Sequence, residues 1–182
     1  MQILVLGAAA GGGLPQWNCG CPNFNDARTG KIPSMTQSSV AVSLDGSSWV
    51  VLNASPDIRM QLAANPQMHP PALRGTPISA VVLTNGDIDH IAGLLTIREK
   101  TAFDLYATQP GLEIVESNSV FRVLDAALVQ RRQIDLDTPF EPLPGLTITP
   151  FAVPGKVALF LVGETVNVEE LAEQFRDSSA FA

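Results

Sequence analysis

The chain has 182 residues, enough for one domain of ordinary size with room for a second, smaller one. Apolar residues make up 46% and charged residues 16%, which excludes intrinsic disorder, and no apolar run approaches the roughly 20 residues that span a bilayer. With 11 basic against 18 acidic residues the net charge is −7, a surface that repels phosphate backbones and argues against nucleic-acid binding.

MQILVLG reads as a buried strand from Met1 to Leu6. An apolar start followed by small residues imitates a secretory signal, but a signal carries a positive leading region, and the first basic side chain here is Arg28. A cytoplasmic protein is therefore expected. A long loop rich in Gly, Pro and Asn follows, from about Gly7 to Thr36, and loops of that length are usually functional or held by something. Next comes a hairpin: Val40, Val42 and Leu44 alternate with small or polar residues, Asp45-Gly46 supplies the turn, and Trp49 to Leu52 returns. Ser55-Pro56-Asp57 opens a helix to about Ala64, with Ser55 as N-cap and Pro56 in the first turn.

After a proline-rich connection, ISAVVLT is a continuous apolar strand of the kind buried on both faces. A helix is expected from about Ile91 to Glu99, a short strand at FDLYA, and helical pattern over Gly111–Asn118 and, more weakly, Ala126–Arg131. LTITPFAV and KVALFLV read as further strands. Val168–Arg176 reads as an acidic amphipathic helix before an unanchored tail. Strands alternating with helices make the class α/β, and no linker divides the chain.

Rare residues bound the chemistry. There are two cysteines, Cys19 and Cys21, and two histidines, His69 and His90. A disulfide scaffold and a structural zinc built from His and Cys alone are both excluded by number, so a metal here needs carboxylates or ligands from another chain. The strongest constellation is Thr84-Asn85-Gly86-Asp87-Ile88-Asp89-His90, directly after the buried strand, where α/β proteins place their sites. Asp87, Asp89 and His90 offer two hard oxygens and one imidazole, a mixture that suits Fe(II), Mn(II) or Zn(II) and leans towards iron or manganese. The plainer reading makes Asp89 a helix N-cap and His90 a first-turn residue. Asp57 either steadies its helix N-terminus or orients a metal-binding histidine as an outer partner. GAAAGGG is a poor dinucleotide fingerprint, with Ala9 where the second glycine belongs and no helix start after it. A nucleophile elbow and a P-loop are both absent from the sequence.

Taken in order, GAAAGGGLPQWNCGC, TQSSVAVS, NASPDIR, VVLTNGDIDHIAGLLTIRE and PGLTITPFAVPGKVALFL resemble the pyrroloquinoline quinone (PQQ) biosynthesis protein B family, from Met1 to about Leu161. The resemblance implies a metallo-β-lactamase fold, two sheets sandwiched between helices (αββα), with a metal between them. It places the superfamily's HxHxDH motif on Asn85–His90, with Asn85 and Asp87 standing for histidines and Asn85 beside the ligand set. It implies iron held in part by Asp87, Asp89 and His90, and an oxygen-dependent hydroxylation of a tyrosine-derived PQQ precursor. Carriage of PQQ or its precursor towards the periplasm is the alternative role. No membrane partner is expected, and a homo-oligomer is left open.

Two departures from the family follow. Its C-x-C-x-x-C loop has Phe24 at the third position here, which leaves Cys19 and Cys21 short of a ligand for a structural zinc. The family also runs to about 300 residues, so residues 1–161 are expected to be the first half of the domain and 162–182 a non-matching acidic tail. On this reading the chain is a truncated or frameshifted copy, inactive alone, with one apolar face of its sheet uncovered.

Overall fold

The computed structural model describes residues 1–153. The strand expected at KVALFLV and the helix expected at Val168–Arg176 lie outside the described residues. The core of the fold is a six-stranded sheet in simple sequential order: β1 Gln2–Gly7, β2 Ser39–Ser43, β3 Trp49–Leu52, β4 Ile78–Val82, β5 Phe103–Ala107 and β6 Val129–Gln133. β1, β2 and β3 run antiparallel as a meander, while β3 to β6 run parallel. The antiparallel turn between β2 and β3 uses Gly46 at φ 80°, which a side-chain-bearing residue adopts reluctantly. Parallel neighbours need crossovers, and helices supply them: α2 Ile58–Ala64 links β3 to β4, α3 Ile88–Ile91 follows β4, and α4 Gln109–Ser117 links β5 to β6.

These three helices pack on one face of the sheet. Their Ile58, Ile91, Leu112 and Val115 meet Leu6, Trp49, Val51, Val81 and Leu105 in the larger core. On the other face lies a small antiparallel hairpin, β7 Phe140–Leu143 with β8 Leu146–Ile148. Its Leu143 and Leu146 bury Val50, Ala80 and Val82, and the Phe140 ring stacks on Tyr106 at 5.1 Å. The hairpin covers the middle of that face and stops short of β1, where Ile3 and Val5 remain 62% and 61% exposed. Helices, a six-stranded sheet and a second, two-stranded sheet are stacked in the layer order that the resemblance to the metallo-β-lactamase fold implies.

Several local expectations need correction. The loop from Gly7 to Thr36 contains a helix, α1 Pro22–Arg28. The weak helical pattern at Ala126–Arg131 divides into a turn over its first three residues and the start of strand β6, an edge strand in which Val129 is the buried residue. The helix expected over Ile91–Glu99 starts earlier: α3 is one turn, continued as a 3-10 turn over Ala92–Leu95. Asp87, not Asp89, occupies its N-cap position, and Asp89 sits in the first turn. Of LTITPFAV, only Leu146–Ile148 is strand β8, while β7 went unread because Pro142 interrupts it. Gly7 is not followed by a helix and β1 is antiparallel to its neighbour, so the dinucleotide reading of GAAAGGG has no structural support.

Candidate metal centre

The site is built where β3 and β4 end side by side. β4 is apolar from Ala80 onward and leaves the sheet at Leu83, so the next polar side chains emerge at its carboxyl end. Gly86 lets the loop pass beneath α4: a Cβ there would stand 2.3 Å from Ile114 Cδ1. Gly93 allows a closer approach still, since its Cβ would stand 2.2 Å from the Ser55 carbonyl oxygen. That proximity pins the loop by its backbone. Ala54 N–H donates to the His90 carbonyl at 2.8 Å, and Gly93 N–H donates to the Ala54 carbonyl at 2.8 Å.

Side chains complete the arrangement. The Asn85 amide is oriented from both ends: its Oδ1 accepts from Asp87 N–H at 3.0 Å and its Nδ2 donates to Asp87 Oδ2 at 3.2 Å. The same Oδ1 lies 2.6 Å from His90 Nδ1. An amide oxygen only accepts, so Nδ1 carries a hydrogen, and in the neutral imidazole Nε2 is then the bare lone pair. Nε2 lies 3.8 Å from Asp89 Oδ2, and the two side chains are 17% and 25% exposed. Burial and the nearby Asp89 carboxylate push the Asp87 carboxyl up, against the opposing pull of His90 and Asn85.

Asp89 also touches the glycine loop. A Cβ on Gly11 would stand 3.1 Å from Asp89 Oδ2, and the Gly11 carbonyl accepts from Gln37 Nε2. Asp57 serves this side of the site at one remove. Its Oδ2 accepts from Gln37 N–H at 3.0 Å, rather than meeting a histidine. Thus Asn85, Asp87, Asp89 and His90 are brought together, and Asp57 supports the neighbouring loop.

Cys19 and Cys21 lie elsewhere, at the entry of α1, as free thiols. Their loop is tied by Arg28, whose guanidinium donates to the carbonyls of Cys19 at 2.7 Å and Gln16 at 2.6 Å, and by Asn25 Nδ2 to Gly20 O at 2.8 Å. The Phe24 backbone N–H, with the Cys19 thiol beside it, holds the Cys21 thiol below the usual thiol pKa range. Among the described residues no group of three His, Cys, Asp or Glu side chains has the geometry to hold a metal ion. Among the described residues no third His, Cys, Asp or Glu joins the two thiols. Asp89 and His90 set one imidazole beside carboxylates that repel one another. A cation would relieve that repulsion, and one imidazole with hard carboxylate oxygens suits part of a divalent metal's ligand set.

His90, Asn85, Thr84 and Asn53 open onto a groove of about 670 Å3 that runs along the uncovered face, between Val40, Val42 and Leu52 on one side and β8 on the other. A larger cleft, about 920 Å3, lies near the starts of β5 and β6 and is lined by Arg74, Arg98, Lys100 and Arg122. It is remote from the carboxylates and imidazole. Sequence reasoning missed Thr84 and Asn53 as site residues, although it marked both segments that contain them. The available signal was a polar residue ending each of two adjacent apolar strands.

The chain matches the beta-lactamase superfamily domain over residues 48–171. It belongs to that superfamily. Within the superfamily its relatives bear out the resemblance to PQQ biosynthesis protein B. It is 56% identical over 174 residues to coenzyme PQQ synthesis protein B of Ruegeria pomeroyi, covering 96% of this chain and 59% of that protein. With the Rhizobium meliloti protein of the same name it shares 60% identity over 163 residues, 88% of this chain and 54% of the relative. The crystal structure of Zn2+-bound PqqB from Methylobacterium extorquens superposes with a TM-score of 0.88 at 54% identity, covering 92% of this chain and 57% of that one. The chain thus spans somewhat more than half the length of the relatives it matches. No helix among the described residues is long and apolar enough to cross a membrane.

Proposed function

We propose that this chain acts in PQQ biosynthesis and that its Asn85–His90 loop supplies half of a catalytic metal site. The carrying observation is the bare Nε2 of His90 beside Asp89, at the carboxyl end of β4 and at the mouth of an apolar groove. Iron is the metal we assign. It would supply the activation of dioxygen for hydroxylating a tyrosine-derived PQQ precursor. The chain's own residues would do the rest. His90 and Asp89 would hold the ion, Asp87 would add a second carboxylate, and the groove walls Val40, Val42 and Leu52 would bind an aromatic ring and exclude water from it. Zn2+ in the Methylobacterium relative supports a metal in this family.

Anaerobic calorimetric titration of the 182-residue chain with Fe(II) tests the reading. Weak binding is expected, since the opposite side of the shell is not built by the described residues. It should disappear in His90→Ala and in Asp89→Asn. Because Asp87 holds the N-cap position, Asp89→Asn leaves the cap untouched and should change stability by less than about 0.5 kcal/mol. Iron binding equal in wild type and both variants would overturn the assignment.

A further inference from the structure

Asn53 ends β3 in a conformation that asparagine tolerates better than most residues, at φ 62°, and it is buried, with 7% of its surface exposed. Its backbone is fully used: N–H donates to Val82 O at 2.9 Å and its carbonyl accepts from Ser39 Oγ at 2.7 Å. Its side chain reaches across to the neighbouring strand end. Asn53 Oδ1 accepts from Thr84 N–H at 2.9 Å, which fixes the amide orientation, and from Thr84 Oγ1–H at 3.1 Å. With its hydrogen committed to Asn53, the Thr84 hydroxyl offers only lone pairs to its other neighbour. That neighbour is His90 Nδ1, at 3.3 Å. Asn85 Oδ1 is the second acceptor at the same nitrogen.

We propose that Asn53 is a positioning residue for His90. Through Thr84 it makes both groups facing Nδ1 acceptors, so the imidazole is held in one tautomer with Nε2 bare towards Asp89. Without the Asn53 amide the Thr84 hydroxyl is free to turn and donate, and one of the two interactions that select the tautomer is lost. The support is unusual in being neutral: amides and a hydroxyl stand where a metal-binding histidine often has a carboxylate. The functional consequence rests on the reading of His90 as a ligand, while the tautomer itself does not.

Nitrogen-15 NMR of the histidine rings tests this in the full chain. There are two histidines, so a His69→Gln background assigns the His90 signals outright. Wild type should show a single Nδ1–H form with slow exchange of that hydrogen with water. Asn53→Gly keeps the backbone freedom and deletes the amide, and should give mixed tautomers and faster exchange. Asn53→Asp, which keeps an acceptor for both Thr84 donors, should restore the single form. Thr84→Val retains shape and the Thr84 N–H to Asn53 bond, and should reproduce the glycine variant's spectrum even if that variant folds poorly. In a parallel Zn(II) titration read at His90, Asn53→Gly should weaken binding about tenfold. A single Nδ1–H form with unchanged exchange in both Asn53→Gly and Thr84→Val overturns the inference. If Zn(II) shifts His90 in no variant, the metal reading fails, and the ring spectra still decide the role of Asn53.

Discussion

The Asp45 carboxylate gathers hydrogen bonds from Ser47 N–H at 2.8 Å, Ser48 N–H at 3.0 Å, Ser47 Oγ at 2.6 Å and Ser43 Oγ at 3.1 Å. These donors hold its carboxyl far below the usual carboxylate range. A depressed folded-state value means stability that is present above the unfolded value, roughly 3.9, and lost as pH falls through the folded one. Asp45→Asn should therefore lower the melting temperature at neutral pH, with the gap to wild type closing steadily below about pH 4. Thermal melts of both proteins from pH 7 to pH 2.5 check this, and a gap that stays constant would refute it. The turn matters to the site because β3 runs from it directly to Asn53. At this scale the sequence was legible where chemistry is concentrated. One of two histidines preceded closely by two acids marked the loop, and an acid after a strand end marked Asp57. Asn53 and Thr84 were not legible as partners, because their contact spans 31 positions and neither residue type signals it.

Among the elements, strands β1 to β5 were readable because each carries an apolar run or an alternation long enough to declare its period. The failures have physical causes. α1 is seven residues with Pro22, Asn23 and Asn25, poor helix formers held in place by tertiary contacts such as those of Arg28. β6 is built of Val129-Gln130-Arg131-Arg132-Gln133, in which glutamine and arginine have good helix propensity, and pairing with β5 overrides that preference. α3 was misplaced because its limits are set by packing against Ala54 and Ser55, which no local pattern reports. Gly93 is the residue at that contact. Gly93→Ala drives a Cβ into two backbone carbonyls, at 2.2 and 2.6 Å, which cannot rotate away as a side chain does. We expect a loss of about 3 kcal/mol, the upper part of the range for overpacking, and displacement of His90, whose carbonyl is bonded to Ala54. Gly20→Ala, with nothing within 4 Å of the new Cβ, should be close to neutral and serves as the control. Urea denaturation of the two variants measures the difference. Equal midpoints would mean that the α3 turn is not wedged against the end of β3.

Among the described residues the six-stranded sheet has two unequal faces, and the Asn85–His90 loop opens at the edge of the less covered one. The helical face is closed: Val51, Val81 and Leu105 are at most 1% exposed. On the opposite face burial fades across the sheet, from Val50 and Val82 beneath the hairpin, through half-buried Val42 and Leu52, to Ile3 and Val5 on β1. The pairs Ile3–Val42 and Val5–Val40 lie directly opposite in the β1–β2 register, so the exposed side chains form one strip rather than scattered points. Such a continuous strip is a surface on which apolar groups gain by leaving water. The dye ANS reports surface of this kind by its fluorescence. The chain should enhance ANS fluorescence in the native state. Replacing Ile3 and Val5 together by Thr keeps the β-branched shape that suits an edge strand while removing apolar area. The double variant should cut the enhancement at least by half. It should leave the melting temperature nearly unchanged, because surface substitutions of this kind move stability by about 0.5 kcal/mol or less. Dye fluorescence equal in the two proteins would show that this strip is not open to solvent, and with it the groove beside His90 would lose its access from the β1 side.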